Sequence, residues 1–177
     1  MKVLVITGSA HKQGTTAALA EQFMAGAKAA GHEVRRFDAA YKIIHPCIAC
    51  EKCHKTGDGC VFKDDMEELN PLLLSAEVIV FVSPVYYYTI NAQIKAVIDR
   101  FYANDEALHR GKRAVLITAM ADDTMESAEG ANAAFQGMTG YLEWEIAGII
   151  NGAGCGDAED LKKTGYLNQA YEMGKKL

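Results

Sequence analysis

Four cysteines fall within fourteen residues of the 177-residue chain, as Cys47-Ile48-Ala49-Cys50-Glu51-Lys52-Cys53 followed by Cys60, a C-x2-C-x2-C-x6-C pattern. Thiolates are soft ligands, and in a reducing compartment so dense a group suits metal binding or redox chemistry better than structural disulfides. The compact triple is of the kind that wraps an iron–sulfur cluster. Zinc sites more often pair two separated C-x2-C knuckles, so a [4Fe–4S] cluster is favoured over zinc. Gly57 and Gly59 leave the chain free to curl back and bring Cys60 to a fourth iron. The plainer alternative is a loop that keeps its cysteines as free thiols or as one disulfide and holds no metal. Cys155 is far away and reads as a lone thiol, and His45 and His54 flank the four without being needed as ligands.

A second group follows the first apolar run, as Gly8-Ser9-Ala10-His11-Lys12-Gln13-Gly14-Thr15-Thr16. Gly8 lets the backbone turn sharply, and Ser9, Thr15 and Thr16 offer hydroxyls and N–H groups at the start of a helix, which is an anion-binding end. The loop is neither a G-x-G-x-x-G dinucleotide fingerprint nor a nucleotide P-loop, because Gly14 is followed by Thr-Thr rather than Lys-Ser/Thr. A monophosphate held mostly by neutral groups fits it, with His11 and Lys12 adding positive charge. Taken alone, the same residues also describe an ordinary strand-to-helix turn with a threonine cap.

A third group is Ser83-Pro84-Val85-Tyr86-Tyr87-Tyr88-Thr89. Three successive tyrosines cannot all point into a core. They could wall a flat aromatic ligand, with backbone groups after Pro84 bonding its polar edge, or form a tyrosine patch at a dimer interface.

These groups need a scaffold that brings them to one edge. Short, β-branched, continuous apolar runs at residues 3–6, 78–82 and 114–117 read as strands buried on both faces, with further strands at 33–37 and 144–150. Helical patterns lie between them. One covers residues 15–30 with Leu19, Phe23, Ala27 and Ala30 on one face and Gly31 as C-cap; another covers 90–102 with Ile94, Val97, Ile98 and Phe101; a third runs through roughly 161–176. A further helix runs to Leu74, with Asp64 as N-cap and Glu67 completing an acidic capping box, so the pair Asp64-Asp65 reads as a cap rather than a catalytic dyad. Asp99 and Arg100 read as a structural ion pair or cap.

Alternating strands and helices give a doubly wound α/β sheet whose ligands sit beyond the carboxyl ends of the strands, here after Thr7, Val82 and Thr118. The cysteine-bearing connection at about 39–64 is too long for that rhythm, and long loops usually carry function. The length suits a single domain spanning 1–177. With 23 acidic against 18 basic residues and no basic run, nucleic acid is a poor partner. No signal peptide or membrane span is read, and the expected location is cytoplasmic.

The strand followed by this loop, and later by S-P-V-Y, resembles the NADPH-dependent FMN reductase-like branch of the flavodoxin superfamily, whose loop reads G-S-x-R-x-x-G-N-T. The resemblance spans nearly the whole chain and implies a flavodoxin-like five-stranded parallel sheet in the order 2-1-3-4-5. It implies that Ser9, His11, Gln13, Gly14, Thr15 and Thr16 surround the FMN phosphate. Pro84, Val85, Tyr86, Tyr87 and Tyr88 would contact the isoalloxazine ring, and Thr118 and Ala119 would close the third side. His11 stands where an arginine is common, and Thr15 where an asparagine is common. Within the superfamily, the cysteine spacing followed by Asp64-Asp65-Met66 is similar to that of the iron–sulfur flavoproteins, with Cys47, Cys50, Cys53 and Cys60 as ligands.

The expected activity is that of an FMN-dependent oxidoreductase. It would carry electrons from NAD(P)H or reduced ferredoxin to a small acceptor such as a flavin, a quinone or an oxygen species, with the cluster as a one-electron relay. The flavin supplies the chemistry, so no side-chain acid or base is named. A non-enzymatic carrier of flavodoxin type is the alternative. A receiver domain is disfavoured because the first and third strands end in Thr7-Gly8 and Ser83-Pro84 rather than in carboxylates. The resemblance also suggests a homodimer or higher oligomer.

Overall fold

The computed structural model describes all residues, Met1–Leu177. Five parallel strands form its centre: β1 (Lys2–Thr7), β2 (Glu33–Asp38), β3 (Val78–Tyr86), β5 (Arg113–Ala119) and β6 (Glu145–Gly152), hydrogen-bonded in the order β2-β1-β3-β5-β6. Counting parallel strands alone, that is the order 2-1-3-4-5 that the family resemblance implies. A two-residue strand, β4 (Thr89–Ile90), was not foreseen: it pairs antiparallel with the end of β3, Val85 with Ile90 and Tyr86 with Thr89.

Successive residues of a strand point to opposite faces, and this divides the core in two. Leu4, Ile6, Ile79, Phe81 and Leu116 face one side, where α3 (Met66–Ser75), α4 (Ala92–Asp99) and α6 (Glu129–Tyr141) cover them. Val3, Val5, Val80, Val82, Val115 and Ile117 face the other, under α1 (Thr15–Ala29) and α8 (Tyr166–Lys175). Because β1, β3 and β5 are buried on both faces, they read as unbroken apolar runs.

Three helix expectations shift. The first helix buries Leu19, Phe23 and Ala27, but Ala30 is its exposed C-cap; Gly26 is buried as well, where the α8 backbone lies directly against it. Ile90 belongs to β4, so α4 starts after the N-cap Asn91, and Phe101 lies in a 3-10 turn, Arg100–Asn104. The C-terminal helix is two, α7 (Ala158–Lys162) and α8, because the Thr164 hydroxyl donates to the Leu161 carbonyl and ends the first. The remaining short helices are α2 (Lys52–Thr56) in the cysteine loop and α5 (Asp105–Leu108).

The long connection is tied off at its neck. Ile43 N–H donates to the Asp65 carboxylate at 2.7 Å, Asp65 N–H returns a bond to the Ile43 carbonyl at 3.0 Å, and His45 N–H donates to Asp64 at 3.0 Å. Between these ties the chain makes an excursion that carries all four clustered cysteines.

Candidate functional site

Three strand ends and the turn after β6 enclose a cleft of about 560 Å³ at the carboxyl edge of the sheet. Its floor is the first loop. Gly14 N–H donates to the His11 carbonyl, and His11 N–H donates to the Ser9 hydroxyl at 3.1 Å, which curls the loop around the start of α1. That helix has no side-chain cap and no acidic residue in its first turn, and its first intrahelical bond runs from Ala18 N–H to the Gly14 carbonyl. The N–H groups of Thr15, Thr16 and Ala17 are therefore left for a ligand, and an anion there gains about 0.3–1 kcal/mol, up to ~2 where partly buried. Lys12 stands over the Tyr41 ring at 4.8 Å, and the Tyr41 hydroxyl donates to the Ala10 carbonyl.

The next wall is Pro84, Val85 and Tyr86, and it is fixed to the floor through one buried side chain. Asn91 donates from Nδ2 to the Gly8 carbonyl at 2.6 Å, and its own N–H donates to the Ser83 hydroxyl at 2.9 Å. The third side is Ala119, Met120 and Ala121, and the fourth is Cys155, Gly156, Asp157 and Ala158.

Of the thirteen residues assigned to a flavin from sequence, ten line this cleft: Ser9, His11, Gln13, Gly14, Thr15, Thr16, Pro84, Val85, Tyr86 and Ala119. Three do not. Thr118 is fully buried and donates from Oγ1 to Asn151 Oδ1 at 2.8 Å, because strand alternation turns it away from the edge that Ala119 faces. Tyr87 and Tyr88 form the two-residue turn of the β3–β4 hairpin at φ 50° and 65°, and they project into solvent, Tyr87 being 100% exposed. Positive φ at both central positions is the backbone that matches a twisted hairpin, though it usually selects Asn or Gly.

The fourth side was missed from sequence. Its signal was available, since Gly152-Ala153-Gly154-Cys155-Gly156 begins at the carboxyl end of the last strand, where ligands of such sheets sit. Cys155 is a buried thiol on this wall, and burial pushes it above the usual thiol range. Asp157 caps α7 by accepting from Glu159 and Asp160 N–H, bonds that keep its carboxylate ionised.

The cysteines form a separate place. Cys47, Cys50, Cys53 and Cys60 all line one small pocket, together with Phe62, Arg100 and Tyr102. No three His, Cys, Asp or Glu side chains stand close enough together to hold a single metal ion. Four thiolates around one zinc must crowd within the reach of bonds of about 2.3 Å, whereas a cubane spreads them over four irons.

One lining residue of that pocket, Arg100, belongs to an ion pair that adjacency in the sequence does not show. Arg100 pairs with Asp64, not with Asp99, which bonds Lys95 instead. The guanidinium donates to Asp64 at 2.7 and 3.2 Å and to the His45 carbonyl at 2.8 Å, with both side chains almost sealed from water. Burial would raise the Asp64 carboxyl, but Arg100 and the N–H groups of His45 and Met66 outweigh it and hold the group at about 2. Asp64 accepts from Met66 N–H at 3.2 Å, but it stands one residue ahead of the N-cap, which is Asp65, and Glu67 pairs with Lys63 rather than closing a capping box. Phe62 packs between this pair and the His45 ring, stacked on the latter at 4.7 Å. The Arg100 Nε is buried without a partner. An unmet buried donor costs about 1–3 kcal/mol.

A parallel sheet in this order, with an open helix end and an aromatic-flanked wall at its carboxyl edge, defines the flavodoxin-like class of α/β proteins. Solved structures agree on that fold. An NAD(P)H:quinone oxidoreductase from Methanothermobacter marburgensis superposes with a TM-score of 0.72 at 16% identity, covering 99% of this chain and 96% of that one. An FMN-dependent NADH-azoreductase from Bacillus anthracis, solved with FMN, gives 0.72 at 15% identity, covering 99% and 98%.

Residues 1–144 match the model of the NADPH-dependent FMN reductase family, and the chain belongs to that family. An iron–sulfur flavoprotein of Methanocaldococcus jannaschii is 35% identical over 125 residues, 69% of this chain and 63% of that protein. The chain thus spans less than two thirds of the length of such relatives. No helix is long and apolar enough to cross a membrane.

Proposed function

We propose that the chain is an FMN-dependent oxidoreductase that passes electrons from NAD(P)H or reduced ferredoxin to a small acceptor such as a flavin, a quinone or an oxygen species. The observation that carries this reading is the continuity of the cleft, from the uncapped start of α1 to the backbone of Pro84, Val85 and Tyr86. Its volume lies within the usual range for cofactor sites. Bound there, FMN would supply one- and two-electron chemistry.

The residues divide the work. The N–H groups at the start of α1, with Ser9, Thr15 and Thr16, would hold the phosphate, and His11 and Lys12 border it. Pro84, Val85 and Tyr86 would orient the ring, while Ala119 and the wall from Cys155 to Ala158 limit water. Cys47, Cys50, Cys53 and Cys60 would hold a [4Fe–4S] cluster; their sharing of one pocket and the names of the matched relatives support this. The exposed Tyr87 and Tyr88 beside the cleft suit burial by a second copy, and we expect a homodimer or higher oligomer.

Anaerobic purification followed by flavin, iron and sulfide analysis tests the cofactors. FMN with iron and sulfide is expected; protein that never takes up FMN overturns the flavin reading, and zinc in place of iron overturns the cluster. NAD(P)H oxidation with a quinone acceptor then separates an enzyme from a mere carrier.

A further inference from the structure

The Asp64–Arg100 pair does more than close the neck of the cysteine loop. Asp64 and the His45 carbonyl engage the two terminal nitrogens of Arg100, so the guanidinium is clamped in one orientation. The clamp uses three of the five N–H donors and leaves Nε as the one guanidinium nitrogen without any partner, sealed from water, on a side chain that lines the four-cysteine pocket. A planar cation held this way presents a fixed donor. The pocket that Arg100 shares with Cys60 is lined chiefly by thiol and apolar groups, with Glu51 and Asp99 as its carboxylates.

We propose that Arg100 is a positioning residue for the cysteine site: its Nε–H donates a hydrogen bond to an anionic sulfur in the pocket, either the Cys60 thiolate or a sulfide of the cluster. This rests on the cluster reading given above. A cluster gains negative charge on reduction, so a fixed cationic donor favours its reduced form, and hydrogen bonds to sulfur are among the levers that set such potentials. Asp64 opposes part of that charge while holding the guanidinium in place, so the two residues act on the potential with opposite signs.

The experiment uses the anaerobically purified full chain. Pulsed EPR on the reduced wild-type protein, grown with arginine carrying a nitrogen isotope label, should show a hyperfine coupling from one arginine nitrogen. Its absence overturns the proposal without any variant. Arg100→Lys keeps a cation beside Asp64 but removes the Nε–H, so the cluster potential should become more negative at unchanged FMN content. Asp64→Asn should move the potential the other way. General loosening of the loop would not produce opposite signs. Wild-type iron content with an unmoved potential in Arg100→Lys overturns the inference alone, whereas wild-type protein without iron and sulfide overturns the cluster reading together with it.

Discussion

The side-chain amide of Asn91 donates to the Gly8 carbonyl over 2.6 Å, although the two residues are 83 positions apart in the chain. Gly8 opens the loop on the floor of the cleft, and Asn91 starts the helix behind its wall, so one buried amide sets the distance between them. The fit leaves no room: a Cβ on Gly8 would stand 2.2 Å from Asn91 Oδ1 and 2.6 Å from Ile94 Cγ1. Gly8→Ala should therefore weaken FMN binding by at least about tenfold, equivalent to about 1.4 kcal/mol. Fluorescence titration of the apoprotein with FMN reads this directly, and an unchanged affinity would show that the floor and wall move independently.

The Asp64–Arg100 pair makes a signed prediction about acid. The carboxyl sits at about 2 in the folded chain against an ordinary 3.8. A depressed carboxyl contributes stability that is complete above its unfolded value and disappears as pH falls through the folded one. At 1.36 kcal/mol per unit, that is roughly 2 kcal/mol present above pH ~5 and lost between about pH 5 and 2. Urea unfolding of the apoprotein across this range should show a steep acid limb that flattens in Asp64→Asn. Equal slopes in both proteins would mean that other carboxylates carry the limb.

At the hairpin tip, Tyr87 and Tyr88 hold left-handed backbone that tyrosine adopts reluctantly, at about 1–3 kcal/mol each. Replacing them together by Asn-Gly should raise the melting temperature of the apoprotein by several degrees, since about 1 kcal/mol shifts a chain of this size by roughly 2–4 °C. If the same variant also turns an oligomer into a monomer in gel filtration, the two tyrosines are exchanging backbone strain for contact.

Helices α1 and α8 touch backbone to backbone. A Cβ on Gly26 would lie 1.9 Å from the Tyr171 carbonyl oxygen, and one on Gly174 would lie 2.1 Å from that of Phe23. Gly174→Ala is expected to destabilise the fold by about 1–3 kcal/mol, as overpacking does. Calorimetry should show the loss while the FMN affinity of the folded fraction stays near the wild-type value, because neither glycine lines the cleft.

Much of the scaffold is local in origin. Runs such as 3–6, 78–82 and 114–117 are apolar at every position because both faces of those strands are covered, and periodicity alone exposes that. The loop from Gly8 to Thr16 is likewise contiguous, so all the groups proposed to hold the phosphate are visible in one stretch of sequence, as is the spacing of the four cysteines. Contacts between distant segments are different in kind. Arg100 was assigned to its neighbour Asp99 because adjacency is all that a linear pattern offers, yet the 3-10 turn after α4 swings its guanidinium to Asp64, 36 residues back.

The family resemblance puts Thr118 and Ala119 together on one side of the site, and the one-residue alternation of β5 at its last positions separates them. Cys155 was set aside as remote, and the β6 turn carries it onto the cleft wall beside the loop that follows Thr7. Sequence by itself thus determined the five parallel strands, the main helices and the two loops after Thr7 and Val82 that line the cleft, since those follow from neighbours within a few residues. Only the packed sheet decided which side chains share a wall and which carboxylate meets Arg100. Those are long-range choices, made when burial leaves a charged or polar group no water to turn to.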